Sequence, residues 1–290
     1  MAFLAEQACQ YLSCPDDHAN LCYETGRYTC TACGRIFPVH LDRLAEVLPK
    51  EPSEAPALRS SPYYAAYRAA FSRAFVLDDS ALAWGAEETF PDAWVRKRRR
   101  QVEFVQSLLT DAPQGPDRMV CDFSGGAGYY TSALARTFPR VFHCDLSVDS
   151  LNYCLFKAKK AAQDNIFFVR MDYFRPPFQA TLDRVISTDS LIGGPNHERQ
   201  VLANIRSALR PGGMALVDFH NWWHNPLRRL GLLKQNYGRN RSYSRREAES
   251  LLAESGIREF RYTPFHQEGI PLLDLVIPPT RLMYSFGGLA

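Results

Sequence analysis

The middle of the chain alternates short apolar blocks with segments of helical spacing, and most of the blocks close on a polar residue. Met119 to Phe123 is one block; Arg140 to Cys144 ends in Asp145, Ile166 to Met171 in Asp172, and Leu182 to Ser187 in Thr188-Asp189. Apolar runs of this length, bounded by turn signals, read as buried strands. Glu198 to Leu209 then has apolar residues at helical spacing. It stops at Arg210-Pro211-Gly212-Gly213, ahead of the strand Met214 to Phe219. Strands alternating with helices predict an α/β fold with a parallel sheet. Three successive strand ends bring polar groups to the edge where such sheets bind ligands.

The first block runs into Ser124-Gly125-Gly126-Ala127-Gly128, and Thr131 to Ala135 opens a helix. The glycines let the backbone turn tightly and approach a ligand without Cβ interference, while the helix N–H groups face the same spot. About 20 residues on, Asp145 is placed to accept two hydrogen bonds from a ribose diol. A dinucleotide fingerprint would align Gly126 to Thr131, but Thr131 then falls on the third glycine position and crowds the helix against the strand, so that alignment fails.

From about Pro116 onward these residues resemble the class I S-adenosylmethionine-dependent methyltransferases. Their pattern is a strand ending in Asp-x-Gly-x-Gly-x-Gly, acids closing the second and third strands, and a Lys/Arg-Pro-Gly-Gly turn before the fifth. Here it is carried by Asp122 to Gly128, Asp145, Asp172 and Arg210 to Gly213. The resemblance implies a Rossmann-like seven-stranded methyltransferase sheet. It further implies that Gly126 and Gly128 flank the methionine portion of the cofactor, that Asp145 holds the ribose hydroxyls, and that Asp172 receives the adenine amino group. Asp122, Ser124, Gly125, Leu146, Tyr173 and Thr188 complete the implied cofactor site. Ser124 departs from the pattern, standing where the family has its first glycine, and a small hydroxyl residue fits there if its backbone angle is an ordinary one.

Five of the eight cysteines fall in the first 33 residues. Cys30-Thr31-Ala32-Cys33-Gly34 has the knuckle spacing that presents two thiolates to one zinc ion. Upstream, Cys14 matches a partner pair whose second member falls at Asp17, with His18 adjacent. The expected metal ligands are therefore Cys14, His18, Cys30 and Cys33, with Asp17 as the alternative to His18 and Cys22 in reserve. The segment resembles the small zinc-ribbon module that precedes some class I methyltransferases, including certain ribosomal RNA guanine methyltransferases; a ribbon whose metal site has decayed is the other reading. Cys121, Cys144 and Cys154 read as small buried hydrophobes.

Length and composition agree with this organisation. The chain has 290 residues and 46% hydrophobic content, enough for a catalytic domain plus an accessory piece. The expected division is a zinc-ribbon-like module at 1–47, a linker and helical substrate-shaping segment at 48–115, and the class I methyltransferase domain at 116–290. No run of 18 apolar residues appears, and Met1 to Gln7 lacks the features of a secretory signal, so a cytoplasmic protein with reduced thiols is expected. A net charge of +3 gives no general attraction to nucleic acid.

For the transfer itself, Asp189 and His197 are the candidate bases, with His220 and His224 behind them. Tyr63, Tyr64 and Tyr67 lie on a helix that either faces substrate or packs. The run Arg96 to Arg100 reads as a solvated helix face. Asn221 to Arg246 holds no acid and interleaves Arg228, Arg229, Lys234, Arg239, Arg241, Arg245 and Arg246 with Trp222, Trp223, Tyr237 and Tyr243. That pattern suits RNA, a lid over an anionic small molecule, or a solvated helix. The expected activity is S-adenosylmethionine-dependent methylation of a small molecule. An RNA methyltransferase is the alternative, and a non-catalytic interaction protein that keeps the fold is the reading from another class.

Overall fold

The computed structural model describes residues 2–54, 56–59, 64–77, 91–110, 118–191, 195–224, 232, 242–266 and 276–288. Its centre is a run of parallel strands: β5 (Met119–Phe123), β6 (Arg140–Asp145), β7 (Ile166–Met171), β8 (Leu182–Ser187) and the long β9 (Leu209–Asn221). Every residue of β5, β7 and β8 is buried, as expected for strands covered on both faces. Helices α5 (Tyr129–Leu134), α6 (Val148–Lys160) and α7 (Pro195–Ala208) follow β5, β6 and β8, so each carboxyl end of a strand opens toward one edge. At the entry to α6, the Ser147 hydroxyl accepts a hydrogen bond from the Ser150 N–H. Antiparallel β12 (Arg281–Gly287) and β11 (Phe260–Phe265) continue the sheet beyond β9, the short β10 (Ser242–Tyr243) pairs beside β9, and α8 (Arg245–Glu254) follows it.

Among the described residues the sheet holds twelve strands, where seven were expected. One of the five extra strands is the short β10, and the other four arise at the N-terminus. There α1 (Ala5–Cys9) precedes four short strands, β1 (Leu21–Glu24), β2 (Arg27–Cys30), β3 (Ile36–His40) and β4 (Leu44–Val47), which pair antiparallel in succession. β4 then lies parallel to β7, with Leu44 opposite Phe168 and Val47 opposite Met171, so the N-terminal strands extend the central sheet rather than form a separate one. Packing follows pairing. Phe3 sits 5.0 Å from Phe142 and 5.9 Å from Phe167, ring centre to ring centre, and the Tyr28 hydroxyl donates to the Ala5 carbonyl at 2.7 Å. Phe3, Leu12, Tyr28 and Phe37 therefore share one core with Phe123, Phe142 and Phe178 of the central layer.

Two further helices lie outside the sheet: α3 (Tyr64–Ser72), which follows the short α2 (Pro56–Arg59), and α4 (Asp92–Thr110). Val105 and Leu109 of α4 pack into the second core, on the opposite face of the sheet, with Leu134, Leu151 and Phe265. Among the described residues no helix is long and apolar enough to cross a membrane. Most of the basic and aromatic residues between Asn221 and Arg246, and Tyr63, lie outside the described residues.

Ser124 does not have an ordinary backbone angle: its φ is 84°, in the left-handed region. The turn requires it, because the Ser124 and Gly125 N–H groups both donate to the Cys144 carbonyl, at 2.9 and 2.8 Å. A residue with a Cβ is strained there by about 1 to 3 kcal/mol, part of which glycine would give back as extra freedom of the unfolded chain. Ser124→Gly should therefore raise stability, by up to about 1 kcal/mol, in urea unfolding monitored at constant m-value.

Candidate functional site

A cavity of about 370 Å³ opens at the carboxyl edge of β5, β6, β7 and β8. Of the residues expected there from sequence, Asp122, Ser124, Gly125, Gly126, Asp145, Leu146, Tyr173, Thr188 and Asp189 line it. Gly128, Asp172 and His197 are not among the lining residues, and each has a physical reason to be elsewhere.

Gly128 serves the turn. A Cβ on it would lie 2.6 Å from the Cys154 Sγ, and a Cβ on Gly125 would lie 2.4 Å from the His143 Nδ1. The loop thus rests on two buried side chains from α6 and β6. His143 is fixed in turn: its Nδ1 lies 2.7 Å from the Thr131 hydroxyl, which donates to Asp122 at 2.6 Å. With Thr131 donating to Asp122, the ring nitrogen must supply the proton of the other bond, so Nδ1 of His143 is protonated. Burial disfavours a second proton on the ring, pulling its pKa down to about 3, and pushes that of Asp122 up to about 7.

Asp145 ends β6 with its oxygens divided between two backbone donors, Ser147 N–H to Oδ1 and Gly126 N–H to Oδ2, both at 2.8 Å. Each oxygen keeps a further lone pair for the cavity. Burial raises its pKa, against the pull of these N–H groups. Asp172 departs from the expected adenine contact. It is buried, its Oδ2 accepts from the Tyr67 hydroxyl at 2.6 Å, and its Oδ1 accepts from the Phe174 N–H at 2.9 Å. Tyr67 covers it, and the Tyr67 oxygen also accepts from the Ser53 N–H at 2.6 Å. The next residue, Tyr173, reaches the cavity instead.

Asp189 lies at the end of β8 with φ 58°, its N–H bound to the Asp218 carboxylate at 2.8 Å. Two guanidinium groups hold its carboxylate: Arg281 at 2.5 Å from Oδ1 and Arg98 at 2.8 Å from Oδ2. Burial opposes ionisation, but the Arg281 and Arg98 guanidinium groups outweigh it and keep the Asp189 carboxyl well below the usual range. Arg281 also reaches Asp218 at 3.2 Å and donates to the His220 Nε2 at 2.6 Å; burial, and then the Arg281 charge, push the His220 pKa down. Arg98 therefore lines the site, 5.4 Å from the centre of the Tyr129 ring, instead of standing on a solvated face with its neighbours. Sequence reasoning missed it because only one residue of such a run points inward on a helix. Arg281, on a strand far along the chain, carried no local signal.

His197 stands behind Tyr173, with its Nε2 2.7 Å from the Tyr173 hydroxyl. It is buried, and burial lowers its pKa to about 4, so it is a weak base. Near the N-terminus, Cys14, Asp17, Cys30 and Cys33 bring one ligand atom each within 4.8 Å of one another. The Cys14 and Cys33 sulfurs are 3.9 Å apart, close to the spacing of about 3.8 Å that tetrahedral zinc with 2.3 Å Zn–S bonds imposes. Asp17 fills the fourth place; His18 does not, because its left-handed turn, φ 61°, takes the ring to Gln179, with 3.1 Å between Nδ1 and Nε2.

The buried neutral histidines set an acid limit on stability. An unfolded histidine takes up its proton near pH 6.5, whereas folded His197 does so only near pH 4. Its stabilising contribution is complete above pH 6.5 and is lost as the pH falls toward 4. His197→Gln should reduce the slope of unfolding free energy against pH in that window by up to one proton's worth, about 1.4 kcal/mol per pH unit, in denaturant titrations between pH 7 and 4.5.

Compared with known proteins, residues 120–213 match the family model described as a methyltransferase domain. The fold is similar to that of magnesium protoporphyrin IX methyltransferase from Synechocystis PCC 6803 (19% identity, 68% of this chain and 85% of that one, TM-score 0.51). It is also similar to geranyl diphosphate C-methyltransferase from Streptomyces coelicolor A3(2) (14% identity, 82% and 100%, TM-score 0.53). A third similar fold comes from a complex of the Haloferax volcanii Trm112 methyltransferase activator with a methyltransferase (16% identity, 69% and 96%, TM-score 0.51). A search of curated proteins found no match. The chain carries a methyltransferase domain on a Rossmann-like sheet, and it is an enzyme of that kind.

Proposed function

We propose that the cavity binds S-adenosylmethionine and that the enzyme methylates a small-molecule acceptor. The observation that carries this reading is Asp145, held by the Gly126 and Ser147 N–H groups beside a glycine turn, with lone pairs left for a ribose diol. When bound, S-adenosylmethionine supplies an electrophilic methyl group together with its own leaving group. The turn from Ser124 to Gly126 receives the methionine portion, Leu146 and Tyr173 flank the adenine, and Thr188 closes the far side. Asp172 has no part in this arrangement, since Tyr67 and Phe174 occupy it.

Asp189, Ser190, Arg98, Tyr129 and Tyr130 are left to meet the acceptor. Asp189 is held ionised by two guanidinium groups and His197 is a weak base behind Tyr173, so we assign Asp189 to orienting the acceptor rather than deprotonating it. A cavity of about 370 Å³ suits a small ligand, and two of the similar folds are named for small-molecule substrates.

Asp145→Ala should weaken S-adenosylmethionine binding by about tenfold or more in calorimetry, because it removes charge-assisted acceptors. No binding by the wild type would end the cofactor reading, and methylation of RNA with an affinity falling steeply in salt would favour the RNA alternative instead.

For the N-terminal cluster we infer a structural zinc ion held by Cys14, Asp17, Cys30 and Cys33. The donor set fits: three sulfurs and one carboxylate converge, and burial pushes the Cys14 thiol up to about 12, so a thiolate there calls for a cation. Elemental analysis of protein purified without chelators should find about one equivalent of zinc. Cys30→Ser should lose most of it; less than about a tenth of an equivalent in the wild type, with an ordered N-terminus, would show a metal-free ribbon.

A further inference from the structure

Arg170 is a buried cation on β7, with 2% of its side chain exposed, and it lies between two halves of the molecule. In the sheet register it stands opposite Glu46 of β4 on one side and Asp145 of β6 on the other. Its guanidinium is spread over partners from three places: β4, the end of α3 and the residue after β6. One terminal nitrogen donates to the Glu46 carboxylate at 2.6 Å. The other reaches the carbonyls that end α3, Ala70 at 2.9 Å and also Arg73, and Nε donates to the Leu146 carbonyl at 3.4 Å. Leu146 lines the cavity directly after Asp145, and α3 carries Tyr67, which covers Asp172.

Glu46 is the carboxylate paired with this guanidinium among the described residues, and it belongs to the N-terminal strands. A buried guanidinium that loses its counter-charge is strongly unfavourable and must move or draw in water. Moving it releases the Leu146 carbonyl and the end of α3 together. The chain past α3 shares the load: Arg73 pairs with Asp149 at 2.6 Å and the Val76 carbonyl accepts from Asn152 at 2.8 Å, both partners on α6 behind Asp145.

We propose that Arg170 is a positioning residue for the cofactor and that Glu46 makes cofactor affinity depend on the N-terminal strands. The inference rests on the cofactor reading above and assigns it a partner inside the chain. Coupling of this kind is reciprocal: if the N-terminal strands tighten the cofactor site, a ligand in that site tightens the N-terminal strands.

The test uses the full-length protein and S-adenosylhomocysteine. In the wild type, ligand should slow amide hydrogen exchange in residues 44–47 by about threefold or more, although β4 is separated from β6 by β7. Glu46→Gln keeps the shape and removes the charge; it should weaken binding about fivefold or more and abolish that protection at a temperature well below its melting point. Arg170→Lys keeps the charge but cannot reach Glu46, Leu146 and α3 at once, so it should also fail to restore affinity. A purely structural pair would lower the melting temperature and leave both readouts unchanged, which would overturn the coupling. Wild-type protein that binds no S-adenosylhomocysteine overturns the cofactor reading, and this inference with it.

Discussion

An open parallel sheet cannot leave its edge strand bare, since the unpaired N–H and C=O groups of a buried apolar strand invite pairing with another chain. In this protein β7 meets that constraint by pairing with β4, and much else follows from it. The pairing fixes where the N-terminal strands sit, and their apolar residues then join the core on one face of the sheet. It also lets a strand as apolar as Ile166–Met171 carry a buried arginine, because β4 brings a carboxylate alongside. Arg43, just before β4, adds a second tie by donating to the Gln163 carbonyl at 2.6 Å and the Ile166 carbonyl at 3.1 Å.

Charge at the carboxyl edge of the sheet is handled in two ways. Asp122, which is buried, and Asp145, which is partly buried, lie beside the glycine turn with no cation paired to them among the described residues; hydroxyl and backbone donors satisfy them, and desolvation raises both pKa values. Asp189 and Asp218 are instead locked to Arg281, and Asp189 also to Arg98. An uncompensated carboxylate pair stands ready for a cationic ligand, whereas a compensated one offers fixed geometry at little net charge. The first arrangement suits a sulfonium cofactor with an α-amino group; the second suits an acceptor that must be oriented.

How much of this was legible in the sequence depended on the range of the interactions involved. The strands β5 to β8 were readable to within a residue, because a strand buried on both faces is a short, mostly apolar run bounded by turn residues. The glycine turn and Asp145 were readable because a tight turn and an acid at a strand end are local features carried by residue types at fixed spacing. The sheet extension was not, since Leu44–Val47 is four residues long and its partner lies more than a hundred residues away. Asp172 carried the right residue type at the right strand end, yet Tyr67 from a distant helix satisfies it. The choice between Asp17 and His18 turned on one left-handed backbone angle, which spacing alone does not encode.

Ser124 ties these threads together. A strained residue persists where its surroundings over-determine it, and here the over-determination is visible. Gly125 is pressed against His143, Gly128 against Cys154, and the Ser124 N–H is committed to the Cys144 carbonyl, so the turn cannot relax around the serine Cβ. In-line transfer of a methyl group asks the protein mainly for alignment, because the electrophile brings its own leaving group. On the reading proposed above, a turn braced from below by buried side chains, facing an Asp189 held by Arg281 and Arg98, suits that demand. The serine at position 124 reads in this light as a residue tolerated by a rigid site, and its strain argues for a retained turn geometry rather than for a decayed one.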